Sequence, residues 1–182
     1  VITLSAPSLF AAIGTFAGSA TDQYWDQDSS NWTGVTGNAW DATNGPNNIA
    51  LFPASGVTFG GISSLTTVNT NGIIFQSGRA ISGGNAVNLA GSNPYLNVVN
   101  AGDTSQFYMN LTGTSGFTKF GAGQIILIGS KGITGGVTVN QGNFRVDNDA
   151  ASAAPGVLAS SNTLTLSGGN LEVTGHTSGT SV

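Results

Sequence analysis

His176 is the single histidine of this sequence, and side-chain acid–base catalysis near neutral pH most often begins with histidine. It follows Gly175 in a polar run, HTSGTSV, with no acid or base at a telling spacing. A Ser-His-Asp constellation assembles in space, so chain order alone does not exclude one. None of the many serines, however, stands in a nucleophile-elbow motif. Asp147 and Asp149 lie two apart and have the pairing a glycosidase asks of its two carboxylates. With Asn148 between them, they also form a set of oxygen ligands for calcium. Asp147 nevertheless closes a short alternating run, which accounts for its position without chemistry. Asp22, Asp26 and Asp28 form a second acidic group, but no glycine-bounded loop of fixed ligand spacing holds them. The chain has no cysteine, which removes thiol catalysis, disulfides and thiolate metal sites. The expectation is a protein that is not an enzyme, with no catalytic residue, no cofactor and no metal.

Binding residues are a separate matter. Trp25, Trp32 and Trp40 recur at intervals of seven and eight in the most aromatic and acidic stretch. Two readings compete: a platform that stacks on the rings of a surface glycan, and an end cap that plugs an open apolar core. The cap is the reading adopted. The four basic residues, Arg79, Lys119, Lys131 and Arg145, are scattered, and the net charge is −4. Nucleic-acid binding, which needs a basic patch, is excluded. No stretch reads as a membrane span or as a basic amphipathic helix. Asn31-Trp32-Thr33 and Asn110-Leu111-Thr112 fit the glycosylation pattern, though such triplets arise by chance in a chain this rich in Asn and Thr.

The elements that carry these residues show best in residues 121–148, GAGQIILIGSKGITGGVTVNQGNFRVDN. Ile125 and Leu127, then Val137 and Val139, then Phe144 and Val146 alternate with other residues, as strands with one buried face do. Gly129, Gly135, Gly136 and Gly142 stand where the backbone must turn. The pattern returns at 163–175 in Leu164, Leu166, Leu171 and Val173. Charged residues are only 7 % and glycines number 28, yet 39 % of the chain is hydrophobic, too much for a disordered linker. Short strands with glycine corners and an uncharged polar surface describe a solenoid whose coils bury their apolar faces on one another. Counting strands from Ile49 onward gives roughly six to eight coils and a rod of ~30–40 Å at ~4.8 Å per coil. A helical turn is plausible only within residues 9–17.

Three segments, GAGQIILIG, ITGGVTVNQG and NFRV, resemble the passenger-associated repeat of autotransporter-type bacterial proteins. The resemblance covers residues 117–175. The earlier Tyr24-Trp25-Asp26, NWTG at Asn31 and PNNIALF at Pro46 are similar to the start of such proteins. It implies an all-β fold, a single right-handed parallel β-helix, secreted to the extracellular space or the bacterial surface. It does not imply catalysis, because such repeats build stalks and surfaces.

The organisation expected is an apolar N-terminal arm over residues 1–20, an aromatic cap region over 21–48, a β-solenoid over 49–175 and a C-terminal tail over 176–182. The arm carries no charge; a leftover signal sequence is the competing reading. An isolated strand of such composition is unstable in water, so the arm is expected to pair with a neighbouring subunit by strand addition through Val1, Ile2, Leu4, Leu9, Phe10, Ile13 and Phe16. If Ile125 and Leu127 point inward, Ile126 and Ile128 point outward and offer a receiving surface. The resulting expectation is a non-catalytic subunit of an extracellular fibre or surface layer. It would polymerise with copies of itself by end-to-end stacking and N-terminal strand exchange. The alternative is an adhesin or passenger fragment that binds carbohydrate or a host surface.

Overall fold

The computed structural model describes residues 11–18, 23–26, 30–40, 45–55, 59–63, 67–129, 131–148 and 157–175. Its strands are short because each apolar pair is soon followed by a glycine, asparagine or serine corner. β1 (Ile13–Phe16), β2 (Tyr24–Trp25) and β3 (Trp32–Thr33) precede the regular coils. The first coil holds β4 (Ile49–Phe52), β5 (Gly61–Ile62) and β6 (Thr67–Thr70). The second holds β7 (Gly72–Phe75), β8 (Ala80–Ile81) and β9 (Ala86–Leu89), and the third β10 (Tyr95–Val98), β11 (Thr104–Phe107) and β12 (Asn110–Gly113). There follow β13 (Phe117–Phe120), β14 (Gln124–Ile128) and β15 (Gly132–Ile133), then β16 (Val137–Val139) and β17 (Asn143–Asp147), and finally β18 (Leu164–Leu166) and β19 (Asn170–Thr174).

Strands at equivalent places in successive coils pair side by side. The largest sheet runs β18-β16-β13-β10-β7-β4-β1-β3, a second runs β19-β17-β14-β11-β8, and a third runs β15-β12-β9-β6. Every strand pair in these three sheets is parallel except β1 with β3. The fold is thus the expected β-solenoid, with about five turns. That is fewer than the six to eight coils expected. The register explains the difference: Ile49, Gly72, Tyr95 and Thr118 are successive partners 23 residues apart, and the next two steps, to Thr138 and Thr165, take 20 and 27. At ~4.8 Å per coil the body is only about 24 Å long. Residues 13–16, where a helical turn was plausible, form a strand because β4 pairs with them directly, and Gly14 leaves the room that Trp40 and Val35 take against it.

Alternation puts one residue in two inside, and the register stacks these into columns. One column of the largest sheet reads Ala50, Ile73, Leu96, Lys119, Val139, Leu166. In the second sheet, Ile81, Phe107, Leu127, Val146 and Val173 form another. Phe52 and Phe75 stack nearly parallel at 5.5 Å between centroids. Each fully buried aliphatic or phenyl side chain contributes roughly 1.5–3 kcal/mol, so the columns supply most of the stability.

The two ends differ. At the first, β3 lies antiparallel across the edge of β1 and the indoles sit behind it. At the last, Leu166 and Val173 occupy inward columns yet are 53 % and 60 % exposed.

Candidate functional site

The tryptophans are placed by β2, β3 and the segment after the short 3-10 turn Thr36–Asn38. All three are at most 1 % exposed. Their ring centroids lie 4.5–5.3 Å apart, and Phe16 and Phe52 complete the cluster. Trp40 Nε1 donates to the Asn69 carbonyl at 2.8 Å, while Trp25 Nε1 and Trp32 Nε1 are buried without a partner. A glycan platform needs open ring faces. These faces are occupied by one another, so the platform alternative is corrected here. Asn31 is also buried, its amide donating to the Tyr24 carbonyl at 2.9 Å, and is closed to glycosylation in the folded chain.

The expected self-assembly contacts divide three ways. Val1, Ile2, Leu4, Leu9 and Phe10 lie outside the described residues. Ile13 is half exposed, but it belongs to β1, which pairs with β4 of its own chain. Phe16 is wholly buried beneath its own aromatic cluster and is corrected from intermolecular contact to core residue. Apolar residues of this stretch find a partner sheet within the chain, so residues 13–16 are not a free arm. The exposed isoleucine pair is likewise corrected. Ile126 does stand on the outer row, between Gln106 and Arg145, yet it is only 6 % exposed. Long side chains in adjacent parallel strands flank a residue closely enough to cover it. Ile128 is half-buried.

Of the acidic candidates, Asp147 is tied to Arg145 at 3.0 Å on the outer face of β17, and Arg145 reaches Glu172 at 3.6 Å. Asp149, Asp22, Asp28 and His176 lie outside the described residues. Among the described residues no group of acidic or imidazole side chains is gathered for a metal.

Two features escaped the sequence reading. Lys119 occupies an inward column position between Leu96 and Val139 and is fully buried. Its Nζ donates to the carbonyls of Phe120, Gly121 and Gln141 at 2.8, 2.8 and 3.0 Å, so all three ammonium hydrogens are used. Burial pushes its pKa down to about 8. Lys131 is also buried and donates to the Ile128 carbonyl and, at 3.2 Å, to that of Gly129; burial lowers it to about 8 as well. Both lysines close carbonyl-rich corners rather than pointing into solvent.

The second feature is the outer face of the largest sheet. Toward the cap it is aliphatic, with Ile49, Leu51 and Ile74 half-buried; farther along it turns to threonine, at Thr118, Thr138 and Thr165. Tyr95 and Phe120 stand at the border, ring centroids 6.1 Å apart and edge to face, with Phe120 39 % exposed. The Tyr95 ring lies over Gly72, where a Cβ would come within 2.8 Å of it. Beside them opens a cleft of about 280 Å³ lined by Ser92, Asn93, Pro94, Ser115, Phe117, Thr118, Gly136 and Thr138. Alternation from Lys119 could have found Phe120, had the lysine been recognised as the inward residue. The cleft is built from two corners and a strand, which no single stretch of sequence displays.

Over 96 % of its length the chain is 29 % identical to an autotransporter adhesin, Adhesin BmaC autotransporter of Brucella suis biovar 1 (strain 1330). The chain spans about 5 % of that protein's length. No protein-family profile and no solved structure matches it. The resemblance to autotransporter-type passengers, first carried by residues 117–175, is borne out by this relative and by the β-solenoid itself.

Proposed function

We propose that this chain is a non-catalytic stretch of the surface-displayed passenger of a bacterial adhesin of the autotransporter type, working outside the cell. The observation that carries this reading is the similarity to an autotransporter adhesin across nearly the whole chain, joined to a solenoid fold. A solenoid holds its outer faces rigid and lifts them away from the cell, which suits adhesion better than turnover.

End-to-end assembly into a fibre would use exposed inward residues such as Leu166 and Val173. Stacking of that kind needs two open ends, and among the described residues the first is closed by antiparallel β3 and the buried indoles. The adhesin reading is therefore the one adopted. It is tested by coupling the folded chain to fluorescent beads and applying them to cultured epithelial cells. Retention above that of beads carrying an unrelated β-solenoid is expected; equal retention would overturn the reading.

A further inference from the structure

The geometry points to a binding site for a neutral carbohydrate chain on the outer face of the largest sheet, formed by Tyr95 and Phe120 with the cleft between the β10, β13 and β16 corners. This inference rests on the adhesin reading and names the class of ligand that reading leaves open. The tryptophan cluster does not compete for the role, because its ring faces are buried.

Three observations converge. First, the cleft is lined by hydroxyl and amide groups from Ser92, Asn93, Ser115, Thr118 and Thr138, and no charged side chain lines it. A hydroxyl donates one hydrogen bond and accepts others, and an Asn side chain does both through separate atoms. That set matches the hydroxyls of a sugar and offers nothing to select a carboxylate, a sulfate or a phosphate, which would call for Arg or Lys. Lys119, the nearest base in sequence, points inward and has its three hydrogens committed to carbonyls. Acidic glycans and nucleic acid are thereby disfavoured.

Second, two aromatic rings stand on the same outer face as the cleft without lining it. Tyr95 pairs in register with Thr118, which lines the cleft, and Phe120 lies two residues beyond Thr118 on the same face. An amphipathic ring beside convergent polar groups is the usual make-up of a small-molecule site, and the C–H faces of a pyranose ring pack on such an aromatic surface. Phe120 has no role in the core to explain it, since it is 39 % exposed. Gly72 leaves the space that the Tyr95 ring fills, and this holds Tyr95 against the sheet rather than free in solvent.

Third, the dimensions suit a chain of sugars better than a folded protein. A cleft of about 280 Å³ is at the small end of small-molecule sites. A protein partner would need roughly 800 Å² of contact on each side. Thr138, which lines the cleft, pairs in register with Thr165 of the next coil, so hydroxyls continue along the same face.

The test uses the whole chain in affinity electrophoresis through gels containing neutral polysaccharides (a glucan, a galactan, a mannan and an N-acetylhexosamine polymer), with a polyuronate and a sialylated glycan as acidic counterparts. Retardation by at least one neutral polymer is expected. Phe120→Ser should weaken it about tenfold, the size of one lost aromatic contact. Thr118→Arg, which fills the cleft, should abolish it. Tyr108→Ser, at an exposed aromatic just past β11 of the second sheet, should leave it unchanged. Unfolding midpoints of all three variants guard against loss of fold. Retardation by acidic polymers alone, or by none, overturns the inference; so does neutral binding that Phe120→Ser and Thr118→Arg leave intact. The bead assay with the same variants separates the two proposals. Adhesion together with no variant-sensitive neutral retardation overturns the sugar site and leaves the adhesin reading standing. Sugar binding without adhesion overturns the adhesin reading and leaves the site standing.

Discussion

Lys119 provides the sharpest test of how this solenoid is held together. Its side chain stands in a column that is otherwise aliphatic near it, with Leu96 on one side and Val139 on the other. Its folded pKa is about 8 because burial penalises the ammonium, against an ordinary value near 10.4 in the unfolded chain. Between these values the unfolded chain binds more protons than the folded one, so stability rises as pH rises. Taken from pH 7 to pH 9.5, the linkage relation gives about 2 kcal/mol for this one group. Lys131 titrates in the same direction, from about 8, and adds a similar amount. Burial raises the Tyr95 phenol above its ordinary value; its ionisation opposes folding only above about pH 10, so the scan stops at 9.5. Urea midpoints should therefore climb with pH. With a slope of about 2 kcal/mol per M, each lysine accounts for about 1 M. Lys119→Met keeps the length of the side chain and removes its titration. At pH 7 it leaves the Phe120, Gly121 and Gln141 carbonyls short of a donor, at a cost of about 1–3 kcal/mol for each that water does not reach. Its midpoint should climb by only about half the wild-type amount between pH 7 and 9.5, the remainder being Lys131. A variant whose midpoint rises as steeply as the wild type would show that Lys119 is not the buried group described.

Other expectations follow from the same packing. Leu127→Ala should cost about 2–5 kcal/mol, whereas Leu166→Ala, in an equivalent inward position of the open last coil, should cost under about 1 kcal/mol; equal losses in urea denaturation would contradict the open end. Gly116 has φ +71°, and a Cβ there would stand 1.8 Å from the Gly136 carbonyl, while Gly129, at φ +74°, has open space. Gly116→Ala should therefore lower the unfolding midpoint sharply, and Gly129→Ala by only about 1 kcal/mol of backbone strain. The three buried indoles should resist acrylamide quenching in the folded chain and become accessible together on unfolding; rapid quenching in the native state would mean that their faces are open after all.

The interior was easier to read from sequence than the surface. Alternation with glycine corners is a direct consequence of strands that bury every second residue, so Ile125, Leu127, Val137, Val139, Phe144 and Val146 all lie inside as expected. The coil count was overestimated because a short run such as β8 is one side of a three-sided coil, and sequence alone does not show how many strands share a turn. Lys119 was missed because a lysine breaks the hydrophobic pattern; only the three carbonyls brought together at the corner make its burial tolerable. Ile126 was misplaced for the converse reason. Alternation predicts which face a residue occupies, but whether that face is covered depends on neighbours in other coils, here Gln106 and Arg145. Phe16 belonged to a stretch that looked unlike the repeats, and it joined the fold through pairing with β4, 36 residues away.

The same division governs where function can reside. Each inward position is constrained by the coil before it and the coil after it, so a substitution there is felt in packing on two sides. Outward positions share no such constraint, and the fold is indifferent to whether Thr118, Phe120 or a charged residue stands on the sheet. A surface with 7 % charged residues in the whole chain has therefore not been forced on the protein by its architecture. Threonine rows and the Tyr95–Phe120 pair are choices left open by the solenoid, and a neutral, hydroxyl-rich and locally aromatic face is the chemistry that a neutral sugar chain can recognise. Placing Arg at Thr118 perturbs that chemistry while leaving every inward column untouched, so loss of binding with an unchanged unfolding midpoint is the outcome that would tie function to the outer face alone.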